Sequence, residues 1–138
     1  MSQINLGRVI AGGLVAGVIA NAVDFVVNAV WLAAAWDEGL RGLGLDPAQG
    51  SPLGWIASDL LFGLVMVWLY AAIRPRFGPG PRTALLAAVA VWAIAHVAYG
   101  AFLFMGLFAG DLVIQSAAGG LVGWALAGVA GAAVYREA

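Results

Sequence analysis

The stretch 112–135, LVIQSAAGGLVGWALAGVAGAAVY, contains no formally charged residue. It is longer than the ~20 helical residues that are needed to cross the hydrocarbon core of a bilayer. Its apolar residues do not alternate with polar ones, which disfavours a strand of a membrane β-barrel. Because backbone groups in lipid must be hydrogen-bonded within their own segment, this stretch predicts a transmembrane helix.

Three further apolar stretches precede it, and each reaches the length of a membrane span. Asp24 and Asp59 are the only formal charges within these three stretches, and the third contains His96. We therefore predict an all-α, integral membrane four-helix bundle that forms a single membrane domain over 1–138. The predicted spans lie at about 9–36, 53–73, 83–108 and 112–135.

The composition excludes several classes of protein. Of the 138 residues, 64% are hydrophobic and 9% are charged, whereas about 25% of a soluble domain is charged. So few charges cannot cover a water-facing surface, which excludes an ordinary soluble enzyme and a disordered tail. Six arginines stand against seven acidic residues, so the basic patch typical of nucleic-acid binding is missing. The absence of cysteine excludes disulfides and thiolate metal sites.

Polar, turn-rich segments separate the predicted spans. Residues 37–52 predict a short ordered loop or surface turn. Residues 74–82, RPRFGPGPR, contain three prolines, which predict the end of the helix and a tight hairpin. Between the last two spans there is room only for a very short turn, which we place at Gly106 or Gly110.

The arginines predict the orientation of the bundle. With four spans, five of them fall on one side: Arg8, Arg74, Arg76, Arg82 and Arg136. Arg41 alone falls on the other side. The positive-inside rule then places both termini and the hairpin in the cytoplasm, as in a multi-pass protein of a bacterial inner membrane. Aromatic belts are predicted at Trp31, Trp36, Trp55, Phe104 and Phe108 on one side, and at Trp68, Tyr70, Phe77 and Tyr135 on the other.

Small residues recur at helical spacing in the first and last spans. These candidate helix-packing residues are Gly13, Gly17, Gly119, Gly123 and Gly131. Small residues at this spacing let two helices approach closely. They either pack inside one bundle or form a dimer interface, and both can hold. We favour internal packing, because such spacing is common in membrane helices.

Polar residues within the spans are the most informative feature. A charged side chain at membrane depth costs ~2.5–3.5 kcal/mol and is by default a functional candidate. A rise of 1.5 Å per residue places a polar side chain of every span in the outer half of the bilayer. If these side chains all face inward, together with Asn21, they form one cluster. The candidate ligand- or proton-binding residues are Asp24, Asn28, Asp59, His96, Tyr99 and Gln115.

Three interpretations of this cluster stay open. Its members could simply form buried hydrogen bonds that fix the register of the helices. They could instead form an outward-opening site for a proton, a cation or a small ligand, because an Asp–His pair can hold a proton near neutral pH. A metal or haem site is the weakest interpretation: no paired-histidine motif is present, although His96 could ligate a haem iron. We predict no catalytic residue, no metal and no cofactor.

The stretch Trp68–Pro81, WLYAAIRPRFGPGP, resembles the central hairpin of a group of small bacterial four-helix membrane proteins. The opening Ile4–Ile10, with the AGGLVAG that follows, is similar to theirs. This resemblance implies the fold and a bacterial inner membrane, but no activity and no site residue. Small multidrug transporters are similar in size and architecture, with an essential glutamate in the first helix, where this chain has Asp24. Their antiparallel form needs a weak charge bias, which the arginine distribution here opposes.

Two main functions fit these features. The first is a small integral membrane protein, non-catalytic, that serves as a helical subunit packing with itself or with a larger membrane complex. The alternative is a proton-coupled small-molecule transporter or ligand-binding protein that uses the intramembrane Asp/His cluster. A haem or quinone protein is a third possibility. The expected partners are the lipid bilayer and either a homo-oligomer or a larger membrane complex, with no nucleic acid.

Overall fold

A computed structural model describes residues 3–137, and these contain helices and no strand. A π-helical segment, Phe25–Trp31, continues the first helix, and a single 3-10 turn covers Pro47–Gln49. The α-helices are α1 (Leu6–Asp24), α2 (Ala33–Gly42), α3 (Pro52–Phe77), α4 (Pro81–Tyr99), α5 (Ala101–Phe104) and α6 (Gly110–Val134).

Four helical segments of the described chain are long and apolar enough to cross a membrane. This confirms the predicted helical class and the four apolar spans. The segments are Leu6–Trp31, Pro52–Phe77, Pro81–Phe104 and Gly110–Val134. The first ends five residues before its predicted limit, because the chain breaks its helical path at Leu32 before α2 begins.

The long helices pack around an interior of small residues. α1 contacts α3 and α6 along its length, and α4 completes the bundle by contacting the same two helices. Ala16, Ala87 and Ala127 are completely buried. Large apolar side chains face outward instead, as in Ile94, which is 74% exposed. An interior with many small residues beside a few large ones, such as Met66 and Trp124, suits a bundle whose solvent is lipid, because close backbone approach supplies the packing contacts.

Glycines make the contact between α1 and α3 possible. A Cβ atom on Gly13 would lie 2.7 Å from Leu64 Cα, and one on Gly17 would lie 2.6 Å from Leu60 Cα. The reciprocal position, Gly63 of α3, faces the backbone of Gly13 and Gly17. Real Cβ atoms do not approach other atoms so closely, so the two backbones touch along this face.

The glycines of α6 serve the same purpose against the first span. A Cβ atom on Gly119 would lie 2.7 Å from Val27, and one on Gly123 would lie 2.8 Å from Val23. Gly131 faces the backbone oxygen of Gly12. All five glycines that were singled out in the sequence therefore contact helices of the same chain.

The segment predicted as a loop after the first span is partly helical. Residues 37–42 belong to α2, a short amphipathic helix whose Arg41 and Asp37 pair at 3.4 Å. The sequence prediction was wrong here, because Trp36 anchors this helix against the bundle while its other face stays polar. Asp46 then accepts a hydrogen bond from the Ala48 N–H at 3.0 Å and starts the 3-10 turn.

The hairpin between α3 and α4 also begins later than predicted. α3 runs through Pro75 to Phe77, and Gly78 then ends it with a hydrogen bond from its N–H to the Arg74 carbonyl at 2.8 Å. Pro75 has no N–H, so the helix passes through it with one backbone hydrogen bond fewer. Gly78 and Gly80, with φ of 84° and 121°, form the turn itself. The short turn before α6 uses Gly106 (φ 68°), one of the two glycines predicted.

Two tyrosines that were predicted in an aromatic belt face the interior. Tyr70 and Tyr135 are each 5% exposed and pack edge to face at 5.9 Å. The Tyr70 hydroxyl accepts a hydrogen bond from the Gly80 N–H at 3.2 Å, and the Tyr135 hydroxyl accepts one from the Asn5 N–H at 3.4 Å. They tie the start of α1, the hairpin and the end of α6 into one end of the bundle, where five of the arginines lie.

Candidate functional site

Three titratable side chains of the predicted cluster lie on three different helices. Asp24 ends α1, Asp59 lies in the first half of α3, and His96 lies one turn before the end of α4. Asp59 is only 5% exposed, while Asp24 and His96 are half-buried. The Asp24 carboxylate is close enough to both His96 and Asp59 to interact with them through charge. These three predicted residues therefore belong to one cluster.

The helix changes its geometry directly after Asp24. The Leu32 N–H donates to the carbonyl of Val27, five residues earlier, at 2.9 Å, which is the hydrogen bond of a π-helix. Each π turn holds more residues than an α turn, so the following side chains rotate relative to the α1 stripe. Asn28 consequently reaches α6, whereas Gly13, Gly17 and Asn21 face α3. The sequence gives no signal for this segment, and π-helices are frequent at functional sites.

Asn28 is the centre of a small hydrogen-bond network. Its side-chain oxygen accepts a bond from the Ser116 hydroxyl at 2.7 Å and a second from the Trp36 indole N–H at 3.1 Å. These bonds join the π-helical segment to α6 and to α2. Gln115 of α6 was predicted to belong to the cluster, but it is half-buried and takes no part in these bonds, whereas Ser116 is 7% exposed. No sequence signal separates Ser116 from Gln115, because only the packing of α6 fixes which of the two neighbouring side chains faces Asn28.

The His96 ring is fixed on both sides. Its Nδ1 lies 2.9 Å from the Trp92 carbonyl oxygen, and because a carbonyl only accepts, Nδ1 carries a hydrogen. Nε2 is therefore the nitrogen with the free lone pair in the neutral imidazole. The ring stacks on Trp92 at 4.9 Å and meets the edge of Trp124 at 5.7 Å.

Gly120 of α6 provides the space for this imidazole. A Cβ atom at Gly120 would lie 3.3 Å from His96 Nε2, which is tighter than ordinary contact. Nδ1 faces a carbonyl and Nε2 faces the α6 backbone.

Aromatic rings cover the cluster toward the end of the bundle that carries α2. Tyr99 follows His96 by one turn, meets its ring at 5.9 Å and lies near Ser116 and Asp24. Trp36 of α2 packs 6.3 Å from Tyr99 and 5.1 Å from Phe108. The indole of Trp36 thus joins the covering rings and also donates to Asn28.

Asn21 has a structural role within the same region. Its amide donates to the Gly17 carbonyl at 3.1 Å and to the Ile56 carbonyl of α3 at 3.2 Å. These bonds fix the register of α1 against α3. None of the hydrogen bonds described for this region involves the side chain of Asp24 or Asp59. Helix register therefore explains the amides of the cluster but not its carboxylates.

The geometry also bears on metal binding. Within residues 3–137, no three histidine or acidic side chains lie close enough together to hold a metal ion. Asp24 lies within charge range of His96 and of Asp59, but the three side chains do not form a metal-binding group. What this arrangement can do chemically is exchange protons.

Comparison of the chain with protein-family models, with curated proteins and with solved structures finds no match. Its function is therefore inferred from the geometry of the bundle.

Proposed function

We propose that this multi-pass membrane protein binds protons at the Asp24–Asp59–His96 cluster and couples their binding to a small molecule that it transports or holds. The observation that carries the proposal is the burial of Asp59, 5% exposed, within charge range of Asp24. Two negative charges repel strongly in a medium of low dielectric constant, and each is costly at membrane depth. A proton on one carboxylate, or on His96 Nε2, removes much of that cost.

The packing glycines make the subunit interpretation less favourable. That interpretation drew on glycine faces and on lipid-exposed helices that a partner could cover, and the glycine faces are used within the chain. Gly13 and Gly17 contact α3 instead, and Gly119, Gly123 and Gly131 contact the first span. The carboxylates, in contrast, have no structural role in the hydrogen bonds described above. We propose a non-catalytic function, in which protons are bound and released and no other bond of the small molecule is made or broken.

We further propose that the chain lies in the inner membrane of a bacterium, with both termini and the hairpin in the cytoplasm. The support is the arginine distribution. Arg8 precedes the first span, Arg136 follows the last span, and three more arginines lie in or beside the hairpin. All five are at the end tied together by Tyr70 and Tyr135. The positive-inside rule assigns this end to the cytoplasm, and the resemblance to small bacterial membrane proteins agrees.

Tryptophan fluorescence tests proton binding, because Trp92 and Trp124 contact His96. We expect the emission of the protein in lipid nanodiscs to change between about pH 5 and about pH 8, because proton binding at the cluster would alter the charge beside these indoles. Asp24→Asn should abolish or strongly reduce the change. Asp111→Asn, at an exposed acid in the first turn of α6, is the matched control and should retain it. Emission that stays constant in the wild-type protein would exclude the proposal.

A second candidate is the membrane subunit, and one observation favours it. The outer surfaces of α4 and α6 form an apolar groove of about 520 Å³, lined by Leu85, Leu121, Ala125, Val129 and Ala133, among others. The alanines would let another helix approach closely. Because the chain has no cysteine, Ala125→Cys provides a single crosslinking site, and Val18→Cys, an exposed position on α1, is the control. Dimers from the first variant alone would support the subunit role.

A further inference from the structure

The arginine-rich end of the bundle contains a guanidinium without a full set of partners. Arg74 lies in the last turn of α3, and its side chain is 22% exposed. Its Nη1 is buried and forms no hydrogen bond with any residue of the described chain. Glu137 Oε1, the nearest acid, is 3.5 Å away, which is long for a hydrogen bond. The Tyr135 ring lies 5.8 Å from the guanidinium carbon. A buried donor without a hydrogen bond lowers the stability of the folded protein, and it can still donate to another acceptor.

A cavity of about 300 Å³ lies beside this guanidinium. Tyr135 and Glu137, which both contact Arg74, line this cavity together with Ile4, Ala71 and Pro75. The start of α1, the end of α3 and the tail after α6 therefore border a partly open space with mostly apolar walls. Glu137 is the charged residue among those that line it, and Arg74 adjoins the space as the ion-pair partner of that carboxylate. The tail at Tyr135–Glu137 is not helical, so Glu137 can leave Arg74 without breaking a helix.

The position and the charge of this end suit an anion at the membrane surface. α3 has 26 residues, about 39 Å of helix, whereas the hydrocarbon core is ~30 Å thick. The Arg74 end of α3 therefore extends to the level of the lipid headgroups. Four more arginines, all exposed, share this end of the bundle: Arg8, Arg76, Arg82 and Arg136. Among residues 3–137, Glu137 is the one acid at this end.

We propose that this cavity binds an anionic phosphate group, with Arg74 as the donor and Glu137 as its internal competitor. A phosphate oxygen would supply the acceptor that Nη1 lacks, and arginine pairs with phosphate through two parallel hydrogen bonds. Binding would replace the long Glu137 contact, so the carboxylate keeps the site occupied until phosphate displaces it. Basic sites between helices at the cytoplasmic surface recognise anionic headgroups in this way. The proposal is independent of proton binding at the Asp24 cluster.

The test uses the full chain purified in detergent and titrated with three probes. These are dihexanoyl-phosphatidylglycerol, dihexanoyl-phosphatidylcholine and inorganic phosphate, with binding followed by native mass spectrometry. We expect phosphatidylglycerol to bind more tightly than phosphatidylcholine, whose choline cancels the phosphate charge. Arg74→Gln should weaken binding about tenfold, which corresponds to one hydrogen bond to a charged group. Glu137→Gln should tighten binding, because it removes the competitor.

Arg41→Gln is the matched control, because Arg41 also pairs with a carboxylate but lies at the opposite end of the bundle. It should bind all probes like the wild-type protein. If phosphatidylglycerol binds tightly and inorganic phosphate does not bind, the site belongs to a lipid. If phosphatidylglycerol and inorganic phosphate bind equally tightly, and both depend on Arg74, the site belongs to a soluble phosphate. The proposal fails if Arg74→Gln and Arg41→Gln bind alike. Should Arg74→Gln not fold, Glu137→Gln decides, and unchanged binding by that variant overturns the proposal.

Discussion

The Ser116 hydroxyl donates a 2.7 Å hydrogen bond to the side-chain oxygen of Asn28, across 88 residues of sequence. This bond joins α6 to the π-helical segment that follows Asp24, and Ser116 is only 7% exposed. The orientation of the first span beside the carboxylates thus depends on a polar contact with a different helix.

Loss of the Ser116 hydroxyl should destabilise the bundle. We expect Ser116→Ala to lower the free energy of unfolding in detergent by about 1 kcal/mol, the net value of a buried hydrogen bond. The control is Ser58→Ala, whose hydroxyl bonds at 2.8 Å to a carbonyl of its own helix. If both variants lose the same free energy of unfolding, the bond between α6 and the π-helical segment contributes no more than a bond within one helix.

Filling the contact between α1 and α3 should be more damaging. A Cβ atom on Gly63 would collide with the backbone of Gly13 and Gly17, which cannot move aside as a flexible side chain can. We expect Gly63→Ala to cost about 1–3 kcal/mol in unfolding experiments, the range for overpacked sites. Gly54→Ala, in the same helix with no atom within 4 Å of its Cβ position, should be neutral or stabilising.

The attachment of α2 to the bundle should depend on the indole of Trp36. Trp36 donates to Asn28 and packs on Phe108, while no residue of α2 is fully buried. Trp36→Ala should therefore increase hydrogen–deuterium exchange over residues 33–42, with little change in α3. Leu40→Ala, on the same short helix, serves as the comparison. Unchanged protection of α2 in Trp36→Ala would contradict this role.

Replacing the buried carboxylate should stabilise the protein. An asparagine at position 59 has nearly the volume of aspartate but carries no charge, so it avoids most of the ~2.5–3.5 kcal/mol cost of a charge at membrane depth. We expect Asp59→Asn to raise the free energy of unfolding by about 1–2 kcal/mol near pH 8, while Glu38→Gln, at an exposed acid, has little effect. A destabilised Asp59→Asn would instead indicate that the carboxylate is paired in the fold.

Part of the candidate site could be predicted from the sequence. Depth along a helix follows from residue counting, so Asp24, Asp59 and His96 could be assigned to one level. The choice between Gln115 and Ser116 could not be made in this way, because neighbouring residues differ in direction by about 100° around the helix and only the packing fixes that direction. The π-helical segment changed the direction of Asn28 again.

The order of charges and apolar runs determined by itself that the chain is helical with four apolar spans, because length and charge placement decide which solvent a segment tolerates. It also determined which end of each helix carries the arginines. Only the tertiary structure decided that the glycine faces are used within one chain, that Tyr70 and Tyr135 turn inward, and that Asp24 lies in charge range of Asp59. These features depend on the rotation and the close approach of neighbouring helices, which arise from contacts between residues far apart in sequence.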